Sequence, residues 1–194
     1  MEIWQSGRLR LLGKQIYRKV SRVRILLFPY EVVMNEFVEM INKDADHRNQ
    51  VLSSGYHGCD VVVLGQGQAK MYIPETDNEV CISISSEHWG DFKPILSDKF
   101  HEVLRLNFDD IAIGDTDLEN ANSITPHQAN EVVRFFDKHK DSHRIIIHCF
   151  AGMSRSRSMA GALCKCFGLP FRYTVLNQHV EDQITQAYHK LFGE

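Results

Sequence analysis

The segment His148-Cys149-Phe150-Ala151-Gly152-Met153-Ser154-Arg155-Ser156 places a nucleophile, a glycine and a planar cation within one short stretch. It follows Ile145-Ile146-Ile147, an apolar run of strand length, and it leads into Ser156 to Phe167, which reads as a helix stopped by Gly168 and Pro170. A cysteine leaving a buried strand into a six-residue turn that opens a helix sits where backbone N–H groups are unsatisfied and converge. Such a turn binds a dianion. The same groups favour thiolate over thiol, and lowering a cysteine pKa from about 8.5 by roughly three units corresponds to about 4 kcal/mol. Cys149 is thereby expected to be a nucleophile at neutral pH. Gly152 permits the backbone angles that turn the loop amides inward, so Phe150, Ala151, Gly152, Met153 and Ser154 are the expected phosphate-binding residues together with Arg155. The Arg155 side chain can return a fork to two phosphate oxygens and stabilise a transition state whose charge spreads over the equatorial oxygens; lysine has no such fork.

The elements around this turn follow from apolar spacing. Strands are expected at Asp60 to Leu64, Lys70 to Ile73, Val80 to Ser85, Val103 to Phe108 and Arg144 to His148, with an earlier one at Val23 to Phe28. Thr125, Pro126 and Gln128 form a capping box with proline at the first helical position, and Ala129, Val132, Val133 and Phe136 supply the buried stripe of the helix that follows. A last helix carries Val180, Ile184, Ala187, Tyr188 and Leu191 on one side, and an early one carries Val33, Phe37, Met40 and Ile41. The polar stretch Asn42 to Gly58 reads as loop and as the boundary between an extension, residues 1–58, and a catalytic core, residues 59–194. Gly65-Gln66-Gly67 lacks the third glycine of a nucleotide-binding turn and reads as a plain turn. Strands alternating with helices point to an α/β fold with a central, mostly parallel sheet flanked by helices, the anion loop lying between a central strand and a helix.

His148, Cys149, Arg155 and Ser156, read as His-Cys-(x)5-Arg-Ser, resemble the signature of the protein tyrosine phosphatase superfamily, and the Ala-Gly-x-Ser-Arg-Ser ending resembles its compact, dual-specificity-like branch. The resemblance implies a phosphatase-like fold and hydrolysis of phosphomonoesters, such as phosphotyrosine or another phosphoprotein, through a phosphocysteine intermediate. It makes Cys149 the nucleophile, Arg155 the phosphate clamp, Ser154 the hydroxyl that eases departure of the thiolate, and His148 a residue that helps set the cysteine pKa. It also requires a general acid on a loop upstream. Aligning Val103 to Phe108 with the strand that feeds this loop selects Asp110, with Asp109 beside it, whereas counting back from Cys149 selects Asp115 or Asp117. The loop side chains lack the Lys or Asp of members that accept inositol phosphates or phospholipids, which favours protein or aryl phosphate. The alternative is a catalytically silent phosphate-binding module that recognises phosphorylated partners.

Composition bounds the rest. With 22 Lys plus Arg against 25 Asp plus Glu, a net charge of −3 argues against a broad basic surface for nucleic acid, and no nucleic-acid partner is expected. Residues 1–24 hold seven of the basic residues and one acidic one, Glu2, and Leu9, Leu12, Ile16 and Val20 recur at helical spacing. Docking of this segment on its own acidic domain is the expectation, with contact to an anionic membrane or nucleic acid as the alternative. Five cysteines without regular spacing, and no apolar leader, suit free thiols in a reducing cytoplasm rather than a disulfide framework. Cys164 and Cys166 read as core or helix-face thiols, and ten histidines show no ligand spacing, so no metal and no cofactor are expected. Arg157, two residues past the clamp, is expected on a solvated helix face.

Overall fold

Runs of Val, Ile and Leu with side chains alternating to opposite faces form four strands: β1 (Asp60–Gly65), β2 (Glu79–Ser85), β3 (Glu102–Asn107) and β4 (Arg144–Cys149). The structure is a computed structural model that describes residues 30–86, 93–111 and 122–193. The helices are α1 (Tyr30–Ser53), α2 (Gln66–Met71), α3 (Pro126–His139), α4 (Arg155–Cys166) and α5 (Gln178–Phe192). The strand order is β1-β4-β2-β3 and every pairing is parallel. The fold is therefore α/β with a parallel sheet flanked by helices, and β4 runs between two neighbours. Pairing of Gly65 with Cys149 and of Ser83 with His148 brings the carboxyl ends of β1, β4 and β2 to one edge of the sheet, the side on which open parallel sheets place their ligands.

Period-two alternation divides the core. Val61, Ile82, Ile84, Ile145, Ile147 and Cys149 face the larger cluster, where α3, α4 and α5 contribute Val132, Phe136, Met159, Leu163 and Ile184, all 0% exposed. Cys81, Ile146, Val62 and Leu64 face the opposite side with Tyr72 and Phe100. Helix α3 starts where its capping box predicts: the Gln128 amide donates to Thr125 Oγ1 at 3.2 Å and the Thr125 amide to Gln128 Oε1 at 2.9 Å. Among the described residues no helix is long and apolar enough to cross a membrane. The basic segment 1–24 and the expected strand at Val23 to Phe28 lie outside the described residues.

Three local expectations are corrected. The stretch Asn42 to Gly58 is not all loop, because α1 runs on to Ser53. The chain divides into two compact units, residues 1–43 and 44–194. Within the second unit the last turns of α1 are ordered by charge: Arg48 Nε donates to Asp60 Oδ1 at 2.9 Å, and Val51 and Leu52 pack on the core. Lys70 to Ile73 does not form a strand; residues up to Met71 belong to α2, which buries Ala69 and leaves Lys70 and Met71 exposed.

The third correction concerns Arg157, which is buried rather than solvated. Its Nη1 donates to Asp44 Oδ2, and Asp44 also accepts from the Thr174 amide at 3.0 Å and Thr174 Oγ1 at 3.3 Å. A helix-face position says nothing about a carboxylate 113 residues away, so the spacing rule that assigned Arg157 to solvent had no means of seeing its partner. Removing one member of a buried pair strands the other. Asp44→Ala is accordingly expected to lower unfolding free energy by about 3 to 5 kcal/mol, read from the urea midpoint, whereas the swap of both residues for apolar ones of similar size should cost much less. Equal losses in the two variants would show that the pair is not what holds α1 to α4.

Candidate active site

The strand-turn-helix unit expected around Cys149 is present, with β4 ending at Cys149 and α4 beginning at Arg155. Between them Gly152 takes φ +70°, a conformation that side-chain-bearing residues resist. Space forbids a side chain as well: a Cβ at Gly152 would sit 2.7 Å from the Gly65 amide nitrogen and 2.8 Å from the Leu64 carbonyl. The loop is thus pressed against the end of β1. A hydrogen bond of 3.0 Å from the Gln66 amide to the Phe150 carbonyl closes the same seam, so Gly65-Gln66, rather than an idle turn, is the floor on which the anion loop rests. The close approach demands glycine at 152 and not at 65, where a Cβ would meet the Ala151 carbonyl at an ordinary 3.4 Å.

Cys149 is 2% exposed. A sulfur at the bottom of a loop has little area of its own, and the rim residues Phe150, Ala151, Met153 and Ser154 are all partly exposed. The hydroxyl that meets the sulfur is that of Ser156, with Oγ 3.1 Å from Sγ. Ser154, expected in that place, instead donates its Oγ–H to Asp110 Oδ1 at 2.8 Å. Both are loop-to-helix serines of one type, two residues apart, and sequence offered no means to tell which one turns inward. Arg155 is 6% exposed, and its Nη1 donates to the carbonyl of Phe108 at 2.9 Å. The guanidinium therefore stands between the anion loop and the segment that follows β3.

That segment separates two of the four candidate acids. Asp109 is 3% exposed and serves structure: it accepts from Ser86 Oγ through Oδ1 and from the Asn122 amide through Oδ2 at 2.8 Å, while its own amide donates to the Asn122 carbonyl at 2.6 Å. Asp110 faces the other way, toward Ser154 and toward Asn177, whose Nδ2 lies 2.8 Å from Oδ1. The structure thus brings Asp110 to the anion loop and leaves Asp109 as a strut. Asp115 and Asp117 lie outside the described residues.

His148 precedes Cys149 in β4, so its side chain leaves the opposite face of the sheet. It is 0% exposed, and burial pushes its pKa down to about 4, an effect deepened by the positive charges of Arg105 and Arg155. Help from the Cys149 backbone, at a geometry short of an ordinary hydrogen bond, is outweighed. A neutral imidazole on the far face makes no hydrogen bond to the Cys149 sulfur, which narrows the role expected of it. Its protonation also couples to folding. Between pH 6.5 and about 4 the unfolded chain takes up a proton that the folded chain refuses, so this residue makes stability fall as pH drops through that window, by on the order of 3 kcal/mol in total. In His148→Leu the difference between urea midpoints at pH 7 and pH 4.5 should shrink; an unchanged difference would place the acid sensitivity elsewhere.

All five cysteines are free thiols. Burial raises Cys59 and Cys81 to about 12 and Cys164 higher still, and Cys166 is also raised. Glu75, Glu79 and His143 come close enough for a metal, but Glu79 spends its oxygens on the Glu75 and Thr76 amides and on the Tyr72 hydroxyl, a set that ties a turn together. Comparison of the chain with protein-family models, with curated proteins and with solved structures found no match.

Proposed function

We propose that this protein hydrolyses phosphomonoesters through a phosphocysteine formed on Cys149, with a phosphotyrosine or other phosphoprotein as the substrate class. The observation that carries the reading is the meeting of three groups at the carboxyl edge of the sheet: a cysteine at the foot of a glycine-bearing turn, an arginine opening the next helix, and a carboxyl group, Asp110, tethered to that same turn by Ser154. In the first step the Cys149 sulfur attacks phosphorus while the ester bond to the leaving oxygen breaks and Asp110 supplies that oxygen with a proton. Arg155 and the loop amides hold the three equatorial oxygens as charge accumulates on them. In the second step water attacks the phosphocysteine and passes a proton to the Asp110 carboxylate, inorganic phosphate leaves, and the sulfur departs as thiolate. The Ser156 hydroxyl, 3.1 Å away, is placed to stabilise it. The uncharged rim side chains Phe150, Ala151 and Met153 suit an aryl or peptide-borne phosphate better than a polyphosphorylated head group. None of these steps calls for a cofactor.

The test is to catch the intermediate. Ser156→Ala, which removes the group beside the departing sulfur, should slow the second step more than the first. A denaturing quench during turnover of p-nitrophenyl phosphate, followed by mass analysis of the Cys149 peptide, should then show one added phosphoryl group, with little or none in the parent protein. Phosphate release without any adduct in either protein would end the proposal. Vanadate binding without turnover would instead identify a phosphate-recognition module.

A further inference from the structure

Asn177 is fully buried and stands at a junction of three elements. Its Oδ1 caps α5 by accepting from the Val180 amide at 3.2 Å, and its own amide donates to Ser158 Oγ on α4 at 2.8 Å. The remaining side-chain atom, Nδ2, donates to Asp110 Oδ1 at 2.8 Å and to the Ile111 carbonyl at 3.3 Å. The surroundings dictate this orientation of the amide group: turning it over would set its NH2 against the Val180 N–H and its oxygen against a carboxylate and a carbonyl. Ser154 Oγ donates to the same Asp110 oxygen from the opposite partner, the anion loop.

Resting on the hydrolase reading above, we infer that Asn177 is a positioning residue for the Asp110 carboxyl, fixing the segment after β3 against α4 and α5 so that the acid faces the leaving oxygen. Three links make up the path. Ser158 anchors residues 176 and 177 to α4 by accepting from both amides, at 3.0 and 2.8 Å. Asn177 passes that anchor to the side chain of Asp110 and to the backbone one residue on. Ser154 then fixes the same carboxyl to the loop that would hold phosphate. Placement matters because proton donation to a leaving group falls steeply once the acid drifts out of hydrogen-bond reach.

Serine at position 177 separates this role from the helix cap. Serine caps helices about as well as asparagine, and its side chain is too short to reach Asp110. In Asn177→Ser, kcat for phenyl phosphate, whose leaving group needs a proton, is expected to fall about tenfold or more, while kcat for 2,4-dinitrophenyl phosphate, whose leaving group does not, stays within about twofold. Inhibition by vanadate should be unchanged. Combined with Asp110→Asn, the substitution should cost nothing beyond what Asp110→Asn costs alone, since the residue acts through that carboxyl. Equal loss on both substrates, or additive loss in the double variant, overturns the inference while leaving the hydrolase reading intact. A parent protein that releases no phosphate from either substrate, or a Cys149→Ser variant as active as the parent, overturns the hydrolase reading and the inference with it.

Discussion

Cys149→Ser is expected to reduce phosphate release from p-nitrophenyl phosphate by about four orders of magnitude or more, while vanadate or phosphate still protects the protein against thermal unfolding. The two halves of this outcome have separate physical causes. A serine hydroxyl at neutral pH is almost wholly protonated, and it lacks an adjacent base: His148 is neutral on the opposite face of the sheet, and Asp110 is occupied with Ser154 and Asn177. Binding, in the proposed reading, rests on main-chain amides, on Gly152 and on Arg155, none of which the substitution touches. Replacement of sulfur by the smaller oxygen leaves the contact with Ser156 possible as an ordinary hydroxyl pair. A variant that loses binding together with turnover would mean that Cys149 holds the loop open rather than attacking the substrate. A variant that keeps turnover would move the nucleophile elsewhere, and the other four thiols, all raised by burial, are unsuited to the task.

What could be read from the sequence was what depends on near neighbours. The stripe Ala129, Val132, Val133 and Phe136 is 0% exposed throughout, as its 3.6-residue period requires, and the capping box at Thr125 forms between residues three apart. Strands β1 and β4 are short apolar runs, β2 is fully buried and β3 alternates Leu with polar residues, so all four were legible, as was the turn between β4 and α4. What escaped are facts decided by groups distant in sequence. Asp110 and Asp109 are adjacent and chemically identical, and only the approach of Asn122 and Ser86 to one, and of Ser154 and Asn177 to the other, tells them apart. Ser154 and Ser156 pose the same problem, resolved by which one the first turn of α4 directs at the sulfur. Lys70 to Ile73 misled for another reason. One β-branched residue, Ile73, beside a tyrosine gave a weak strand preference, and tertiary context overrode it when Gln68 folded back to accept the Gly65 amide at 2.9 Å and Ala69 found a buried place.

Arg155→Lys is expected to lower kcat by about a hundred- to a thousandfold although the charge is conserved. Helix α4 begins at this residue, so its side chain leaves the backbone where the loop closes, and its Nη1 already reaches across to the Phe108 carbonyl, 47 residues earlier in the chain. A guanidinium held that way offers donors in a fixed plane, able to span the segment after β3 and a phosphoryl group at once. An ammonium has donors around a single point and can satisfy the Phe108 carbonyl or the phosphate, but not both with good geometry. Ground-state binding should suffer less than catalysis, because a point charge still attracts a dianion in a buried site, whereas the spreading charge of the transition state needs the two-pronged contact. The discriminating measurement is the pair of ratios for Arg155→Lys and Arg155→Ala. A clamp specific to the transition state predicts that lysine restores much of the affinity for phosphate but little of kcat, while a role limited to holding Phe108 and the adjoining Asp110 segment predicts that kcat falls only for leaving groups that need a proton. Since both dinitrophenyl and phenyl phosphate require charge stabilisation on the equatorial oxygens, a loss of similar size on the two substrates assigns Arg155 to the phosphoryl group itself.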